Sequence, residues 1–350
     1  MSHEVRTVGV EEELMLVDPA SHRITAVASR ALRSHGTSGD DEDRGAEVEA
    51  ELYQQQIELA TEPCTTLSEL RDAIVRARRT VAEVSGAVGA LAVAVPTPVL
   101  AEGPERLTQK PRYERIREEY GEVARQALVC GMHVHVEVRD EREAIAVVDG
   151  VRPWLPVLLA LSANSPFMRG EDTGYASWRS QVWSRWPAAG PREAFDGPDT
   201  YAETGRLLQE WGAVLDEGML YYDVRRAADW PTVELRVADV CTEVDDSLLV
   251  AALSRGLVST LVADFRASRP LPEGVWRTDL LRAAQWRAAR YGMASTLVHP
   301  LRRELAPARE VVAARALPGA REGVRIVPAR FGAEAGMLGA AAIAFDGIGR

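Results

Sequence analysis

The sequence predicts an α+β fold in which a largely antiparallel sheet packs against helices. Four short segments alternate polar and apolar residues, which is the pattern of a strand with one face in a core, and longer segments carry apolar residues at helical spacing. These segments follow one another without the regular strand–helix–strand order of a parallel α/β sheet. Antiparallel pairing is therefore favoured.

The first alternating segment runs from Val8 to Val17 and begins the predicted sheet. Its even-numbered positions are aliphatic apart from Glu12, whereas Glu11 and Glu13 fall on the opposite face. Two carboxylates in this relation lie roughly 7 Å apart along the strand. Such a pair is unfavourable unless solvent or a cation lies between the charges. A Glu-rich strand taken alone is, however, more often a solvated edge strand.

Three further segments repeat this arrangement. In each, side chains that can bind metal or phosphate occupy alternate positions, and the positions between them are mostly aliphatic. The polar sets are Gln54, Gln56 and Glu58; His133, His135 and Glu137; and Glu234 and Arg236. If the four strands share a sheet, one face collects carboxylates, imidazoles and a guanidinium. That face would suit divalent cations that hold a polyanion.

Caps, breakers and helical periodicity predict the remaining elements. Thr66 and Glu69 form a capping box that opens a long amphipathic helix, and Pro153 and Pro156 should bend a later one over 141–161. The other expected elements are strands over 52–61, 131–138 and 232–240, helices over 113–128, 200–218, 245–265, 279–291 and 300–316, and loops over 34–47 and 164–199. The second loop contains three Trp residues, which favours a substrate-covering segment over disorder.

Composition limits the class of protein. The 350 residues are 46% hydrophobic and 27% charged and carry a net charge of −11, a globular profile that disfavours nucleic-acid binding. Lys110 is the single lysine and no phosphate loop ending in Lys exists, so Arg, backbone amides or metal must bind any phosphate. The sequence predicts a cytoplasmic protein that does not enter a membrane. It has three cysteines without metal-binding spacing, no signal-peptide pattern and no apolar run of membrane-span length.

Short motifs recur in order along most of the chain. They are Gly9–Leu14, Gln56–Pro63, Gly131–Val136, Tyr175–Trp183, Tyr222–Arg225, Pro231–Val237 and Asp239–Cys241. Taken together, they resemble the glutamate–cysteine ligase type 2 family of carboxylate–amine ligases, relatives of glutamine synthetase in fold. Each motif is weak on its own, and the order and spacing of the set make the resemblance specific.

The resemblance implies a glutamine-synthetase-like fold, with a mostly antiparallel, curved sheet whose concave face is polar and whose other face is covered by helices. It also implies a ligase that uses ATP and Mg²⁺, with Mn²⁺ as an alternative, to phosphorylate a carboxylate. An amine then displaces the phosphate, and ADP is released. The implied partners are small molecules, glutamate or a similar carboxylate and an amine such as cysteine, and related folds commonly form homo-oligomers.

The resemblance further assigns roles to individual side chains. Metal ions would be held by Glu11, Glu13, Glu58, His133 and Glu234. Arg236 would hold the transferring phosphate, and His135 and Gln56 would lie on the cofactor side of the site. Arg179 and Arg225 would act in catalysis by binding the α-carboxylate of an amino-acid substrate.

The predicted organisation is a catalytic domain over 1–316 and an atypical tail over 317–350. In place of a polar helical segment that closes the domain, the tail contains Gly323–Pro328 and Phe331–Ala341. These stretches are similar to the C-terminal segment of ROK-type sugar kinases and regulators. The tail is too short to carry that fold, so sugar-kinase activity is excluded.

Two other functions remain open from the sequence. His133, His135 and Glu137 could hold one transition metal in a hydrolase. A non-catalytic relative could keep the fold for nucleotide binding alone. Structural explanations also remain for single features, because Glu234 and Arg236 could be a surface ion pair and the Trp residues ordinary packing.

Overall fold

Seven antiparallel strands form the main sheet of this computed structural model, which describes residues 5–36, 46–100, 105–269 and 276–313. The described strands are β1 (Val8–Val17), β2 (Ala46–Ala50), β3 (Gln56–Thr61), β4 (Leu91–Val93), β5 (Gly131–Glu137), β6 (Phe167–Met168), β7 (Glu171–Asp172), β8 (Val224–Arg226), β9 (Thr232–Asp239), β10 (Thr296–Val298) and β11 (Leu305–Pro307). The order is β2–β3–β1–β5–β9–β8, with β4 also paired to β1, and β6–β7 and β10–β11 are separate hairpins.

The register of the central strands brings the predicted polar positions side by side. Glu13 lies opposite Glu58, Glu11 opposite His133, and His135 opposite Glu234. A register shift between Met132 and Val134 marks a bulge in the β5–β9 ladder. The four predicted strands therefore share one sheet and one polar face.

Eleven helices pack around the sheet in the described part of the chain. They are α1 (Ala28–Gly36), α2 (Leu67–Gly86), α3 (Pro111–Tyr120), α4 (Glu122–Arg125), α5 (Glu141–Val151), α6 (Leu155–Ser162), α7 (Trp178–Trp183), α8 (Pro198–Glu210), α9 (Val244–Arg266), α10 (Thr278–Tyr291) and α11 (Ala308–Ala313). Apolar side chains of α2 and α9, such as Ile74 and Val250, are buried with Val10 and Val134 of the sheet in one core. The predicted α+β class is confirmed.

Strand β1 shows the predicted alternation of buried and partly exposed residues from Val8 to Glu12, and from Glu13 onward every residue is buried. Glu12 is completely buried among the helices and pairs with Arg78 of α2, whose Nε lies 2.7 Å from Glu12 Oε2. The hydroxyl of Ser247 in α9 donates a second hydrogen bond of 2.7 Å to the same carboxylate. At the end of the strand, Met15 and Val17 are buried as well, so there both faces of β1 are covered.

Two predicted helices end earlier than expected, and in both cases a glycine follows with a left-handed backbone. The helix over 113–128 is divided into α3 and α4 because Gly121 has a φ of 52°. The helix over 200–218 begins at Pro198 and ends at Glu210, two residues before Gly212 with a φ of 70°. The predicted bend after residue 151 is confirmed as a 3₁₀ turn over Arg152–Trp154.

The helix expected over 300–316 is wrong in its first part. Residues 299–304 form the turn of the β10–β11 hairpin, and α11 begins only at Ala308. In that turn Arg303 has a φ of 57°, and its N–H donates a hydrogen bond to the His299 carbonyl. Helical propensity does not predict this backbone conformation. The rest of that helix and the predicted tail over 317–350 lie outside the described residues, so the proposed domain boundary stays a prediction.

The segment before the second strand also differs from expectation. β2 occupies Ala46–Ala50 at the edge of the sheet, where the sequence predicts a loop over 34–47, and the middle of that loop lies outside the described residues. The strand expected over 52–61 begins at Gln56, because a turn with a hydrogen bond from Gln56 N to Tyr53 O precedes it.

The described residues include two helical spans with the length and hydropathy of a membrane helix, which the sequence analysis did not expect. They are Glu141–Ser162, whose most apolar window is 83% buried inside the protein, and Val244–Arg266, at 33%. The first is broken at Arg152–Trp154 and lies in the core. The second packs one side against α2, α5, α6 and the sheet. Core packing accounts for the apolar composition of the first span.

The buried pair of Glu12 and Arg78 generates a stability prediction. Arg78→Met leaves the Glu12 carboxylate without its cation, and we expect the free energy of unfolding to fall by about 3–5 kcal/mol. Urea denaturation followed by circular dichroism measures it. The double variant Glu12→Leu/Arg78→Met removes both charges and should recover much of the loss. Equal destabilisation in the two variants would show that lost packing, and not the unpaired charge, is responsible.

Candidate active site

Glu11 is the centre of the polar face. Strand pairing places it between two imidazoles, with its Oε2 3.0 Å from His133 Nδ1 and its Oε1 3.1 Å from His135 Nε2. Burial acts to raise the pKa of Glu11, but hydrogen bonds from the two histidines outweigh it and hold the pKa far below its usual range. Glu11 is therefore ionised at neutral pH.

Glu234 lies on the neighbouring strand and is nearly completely buried. Arg225 Nε lies 2.6 Å from Glu234 Oε2, the Arg236 guanidinium contacts Oε1, and His133 Nδ1 lies 3.7 Å from the same oxygen. Burial acts to raise the pKa of Glu234, but the charges of Arg236 and Arg225 more than compensate and lower it. The two arginines hold this carboxylate in its ionised form.

Glu13 and Glu58 extend the carboxylate cluster toward β2 without a cationic partner of their own in the described part of the chain. Glu13 Oε2 accepts a 2.6 Å hydrogen bond from the Gly131 amide. Burial, together with the charges of Glu51 and Glu11, raises the pKa of Glu58 well above its usual range. Burial and the nearby Glu13 raise the pKa of Glu51 to about 7. The polar face thus carries more negative charge than its own arginines neutralise.

Two overlapping groups could each hold a metal ion within the described residues. In both, ligand atoms from three side chains lie within 4.8 Å of one another: Glu11, Glu58 and His133 in one, and Glu11, His135 and Glu234 in the other. His133 Nε2 is buried without a hydrogen-bond partner, and burial followed by the Arg236 charge lowers the pKa of His133, so its ring is neutral. Neutral imidazole among crowded carboxylates fits a divalent cation such as Mg²⁺ or Mn²⁺.

The structure changes the expected ligand set in two respects and removes one alternative. Glu13, expected as a ligand, belongs to neither group among the described residues, and its Oε2 accepts a hydrogen bond from the Gly131 amide, so its role in metal binding stays a prediction. His135, expected beside the cofactor, joins a ligand group itself. Glu137, which the hydrolase hypothesis requires, belongs to neither group, because its Oε2 accepts hydrogen bonds from Thr7 N at 3.1 Å and Thr7 Oγ1 at 3.0 Å. The His133, His135 and Glu137 site is therefore not formed.

Arg179 reaches the polar face from helix α7, inside the segment expected to be irregular. Its guanidinium packs so close to Gly131 that a Cβ at residue 131 would lie 2.1 Å from Arg179 Nη2. The side chain is 2% exposed and its Nε has no partner. A buried guanidinium with an unsatisfied N–H beside the carboxylate cluster is suited to an anionic group of a ligand.

Asp239 positions Arg179, a role that no pattern in the sequence indicates. Its carboxylate accepts hydrogen bonds of 2.7 Å from Ser165 Oγ and 2.8 Å from Ser177 Oγ. Ser177 caps the first turn of α7, and Ser165 Oγ accepts the Arg179 N–H at 3.0 Å. The bulge between β5 and β9 changes which side of the sheet each later residue faces, so strict alternation could not have located Asp239.

The two remaining predicted side chains also lie on this face. The Arg225 guanidinium is engaged by Glu234 and by the Gly218 carbonyl, at 2.8 Å from Nη1, which leaves less of it for a substrate carboxylate. Gln56 donates from Nε2 to the Val129 carbonyl at 2.8 Å, while its Oε1 is buried without a partner. The roles predicted for Arg225 and Gln56 stay predictions.

Comparison with known proteins identifies the family. The model of the glutamate-cysteine ligase family 2 matches residues 7–326, and a Frankia alni relative provisionally named glutamate–cysteine ligase 2-2 is 47% identical over 317 residues, covering 88% of this chain and 82% of its own. The chain belongs to glutamate–cysteine ligase family 2.

Solved structures agree with this family's fold. The glutamate–cysteine ligase of Francisella tularensis in complex with AMP superposes with a TM-score of 0.60 at 11% identity, covering 97% of this chain and 82% of that one. A bifunctional glutathione synthetase from Pasteurella multocida superposes with a TM-score of 0.56 at 14% identity. The match covers 99% of this chain but only 53% of that longer protein. The glutamine-synthetase-like α+β fold expected of the family is confirmed.

Removal of Glu11 should weaken metal binding, because both candidate ligand groups contain it. We expect Glu11→Gln to bind Mn²⁺ about tenfold more weakly or worse, since one anionic ligand is lost from each group. Titration followed by electron paramagnetic resonance measures free Mn²⁺ directly. Glu137→Gln is the matched control on the same sheet and should leave the affinity unchanged. Equal Mn²⁺ affinity in Glu11→Gln and the wild type would contradict the assignment.

Proposed function

We propose that this protein is an ATP-dependent ligase that joins a carboxylate to an amine and releases ADP and phosphate. One observation carries the proposal: Glu11, Glu13, Glu58, His133, Glu234 and Arg236, scattered over more than half of the chain, lie on one face of one sheet. Membership of a ligase family supports it. Glutamate is the carboxylate we favour, and cysteine is one candidate amine.

The charge distribution supports a nucleotide bound through metal ions. Glu58 has a raised pKa because burial and neighbouring carboxylates disfavour its charged form, and a divalent cation would relieve both effects. Glu11, Glu58, His133, His135 and Glu234 would hold the ions. Bound Mg²⁺ would neutralise the phosphates of the nucleotide and polarise the group that is transferred.

The chain's own residues would position the reactants and stabilise charge. A substrate carboxylate oxygen attacks the γ-phosphorus of ATP, the bond to the β-phosphate oxygen breaks, and ADP leaves. Arg236 is held by Glu234 at the edge of the carboxylate cluster, and its buried Nε has no partner, so it can donate to the transferring phosphoryl group. The amine nitrogen then attacks the acyl carbon, loses a proton and displaces phosphate.

Arg179 is the guanidinium best placed for a substrate carboxylate. It is buried, it has no ion-pair partner among the described residues, and it lies against Gly131, whose amide holds Glu13. Arg225, in contrast, is bound to Glu234. We therefore assign the α-carboxylate of the first substrate to Arg179, and give Arg225 the role of orienting Glu234.

The direct test is nucleotide hydrolysis that depends on both substrates. The purified protein with ATP, Mg²⁺ and glutamate should release ADP, and not AMP, when an amine is added. Hydroxylamine as the amine should trap the activated carboxylate as a hydroxamate, which ferric chloride detects. Arg236→Lys should reduce hydroxamate formation about a hundredfold, because an ammonium cannot replace the forked contact. Release of AMP would exclude the mechanism, and nucleotide binding without any release would favour a non-catalytic relative.

Gly131→Ala should separate substrate binding from fold stability. The new methyl group would displace the Arg179 guanidinium, so we expect KM for the carboxylate substrate to rise about tenfold or more, the effect of losing one charge-assisted hydrogen bond. KM for ATP should change little, and the thermal midpoint reports on the fold. Gly86→Ala is the control, because a Cβ at that glycine meets no atom within 4 Å. An unchanged carboxylate KM in Gly131→Ala would rule out this role for Arg179.

A further inference from the structure

A small cavity adjoins the carboxylate cluster at the β2 side of the sheet. Its volume is about 40 Å³, and its lining includes Glu13, Glu51, Gln56, Tyr113, Trp183 and Tyr221. Glu13 connects it to the site described above. The cavity is large enough for a few water-sized groups and too small for a nucleotide.

Two carboxylates and one amide oxygen are the acceptors that line the cavity, beside the hydroxyls of Tyr113 and Tyr221. Glu13 and Glu51 contribute carboxylates, and Gln56 contributes Oε1, a buried oxygen without a hydrogen-bond partner. The orientation of the Gln56 amide follows from its Nε2, which donates to the Val129 carbonyl. One neutral donor without a partner, the Trp186 indole N–H, also lines the cavity. Two carboxylates without a cation beside an unpartnered amide oxygen favour a ligand that donates several hydrogen bonds.

The cationic residue in the lining does not neutralise these carboxylates. Arg112 is bound through Nε and Nη2 to Asp216, at 2.7 and 2.9 Å. Glu51 has no ion pair in the described part of the chain; its carboxylate accepts hydrogen bonds only from neutral groups, the Leu52 amide and the Tyr113 hydroxyl at 3.5 Å. Burial and the charge of Glu13 raise the pKa of Glu51 to about 7, as expected for a carboxylate that lacks a cation.

Aromatic rings form the rest of the wall. Trp183 and Tyr221 pack together with ring centroids 4.8 Å apart, and Trp186 lies against Tyr221 at 5.4 Å. The faces of such rings attract cations, most strongly when water is excluded. Carboxylates on one side and aromatic faces on the other make a pocket for a cation that carries some apolar carbon.

We propose that this cavity is the subsite for the amine substrate and binds its protonated amino group. The ammonium donates hydrogen bonds to Glu51 and to Gln56 Oε1, and the adjoining carbon packs against Trp183 and Tyr221. Before the nitrogen attacks the acyl carbon, the ammonium gives one proton to the Glu51 carboxylate, which leaves the free amine in the subsite. The inference rests on the proposed ligase function and specifies its second substrate. The volume limits that end of the substrate to a compact primary amine, and the lining offers no unpaired guanidinium for a second carboxylate.

Binding of ethylammonium chloride tests the subsite without turnover. Isothermal titration with Mg²⁺ and a non-hydrolysable ATP analogue present should detect binding to the wild type, and Trp fluorescence should change because Trp183 and Trp186 line the cavity. Glu51→Gln should weaken binding about tenfold or more, the effect of replacing a charged acceptor by a neutral one. Glu114→Gln, an exposed carboxylate on α3 next to Tyr113, is the charge-matched control and should bind normally.

Kinetics separate this inference from the ligase proposal. In Glu51→Gln, KM for ethylamine should rise by the same factor, while KM for ATP, which does not bind in this cavity, should stay close to the wild type. If no amine caused ADP release but ethylammonium still bound in a Glu51-dependent way, the ligase proposal would be refuted. The subsite proposal would then be retained. The subsite would be overturned if Glu51→Gln bound ethylammonium with wild-type affinity. It would also be overturned if the substitution abolished Mn²⁺ binding and left ethylammonium binding intact.

Discussion

Repulsion among carboxylates on one sheet face is the interaction on which the rest of this structure depends. Glu11, Glu13, Glu58 and Glu234 converge there from three strands. Arg225 and Arg236 neutralise Glu234, and hydrogen bonds from His133 and His135 stabilise the charged form of Glu11. Both carboxylates have lowered pKa values, whereas Glu58 and Glu51 have raised ones. Native proteins place such uncompensated charge at sites where a bound ligand or metal ion neutralises it.

A carboxylate on the same strand shows how the protein treats a charge that serves structure alone. Glu12 points into the helical layer and is fully buried, yet Arg78 and Ser247 satisfy its oxygens. Its neighbours on either side, Glu11 and Glu13, face away from that layer and meet imidazole, amide and other carboxylates. One strand therefore carries a neutralised pair on one face and an open cluster on the other, and the difference is the origin of the candidate site.

The supports of the site are less conspicuous than its charged residues. Gly131 provides both an amide for Glu13 and, by having no Cβ, the space for the Arg179 guanidinium. Asp239 holds the two serines that anchor the first turn of α7. These contacts preorganise cationic and anionic groups before any substrate arrives, which is what phosphoryl and acyl transfer require from a protein. Family membership agrees with this arrangement without specifying the amine.

The period of two along β1, β3, β5 and β9 was enough to predict one polar and one apolar face, because side-chain direction in a strand is a local property. Sequence alone therefore determined the α+β class, the family and the residues of the carboxylate cluster. It could not locate Glu51 or Asp239, because the first depends on the turn that follows β2 and the second on a bulge. Nor could it show that Arg225 binds Glu234 while Arg179 has no ion-pair partner among the described residues. Those outcomes depend on contacts between distant segments, and only the tertiary structure decides which charges find a partner.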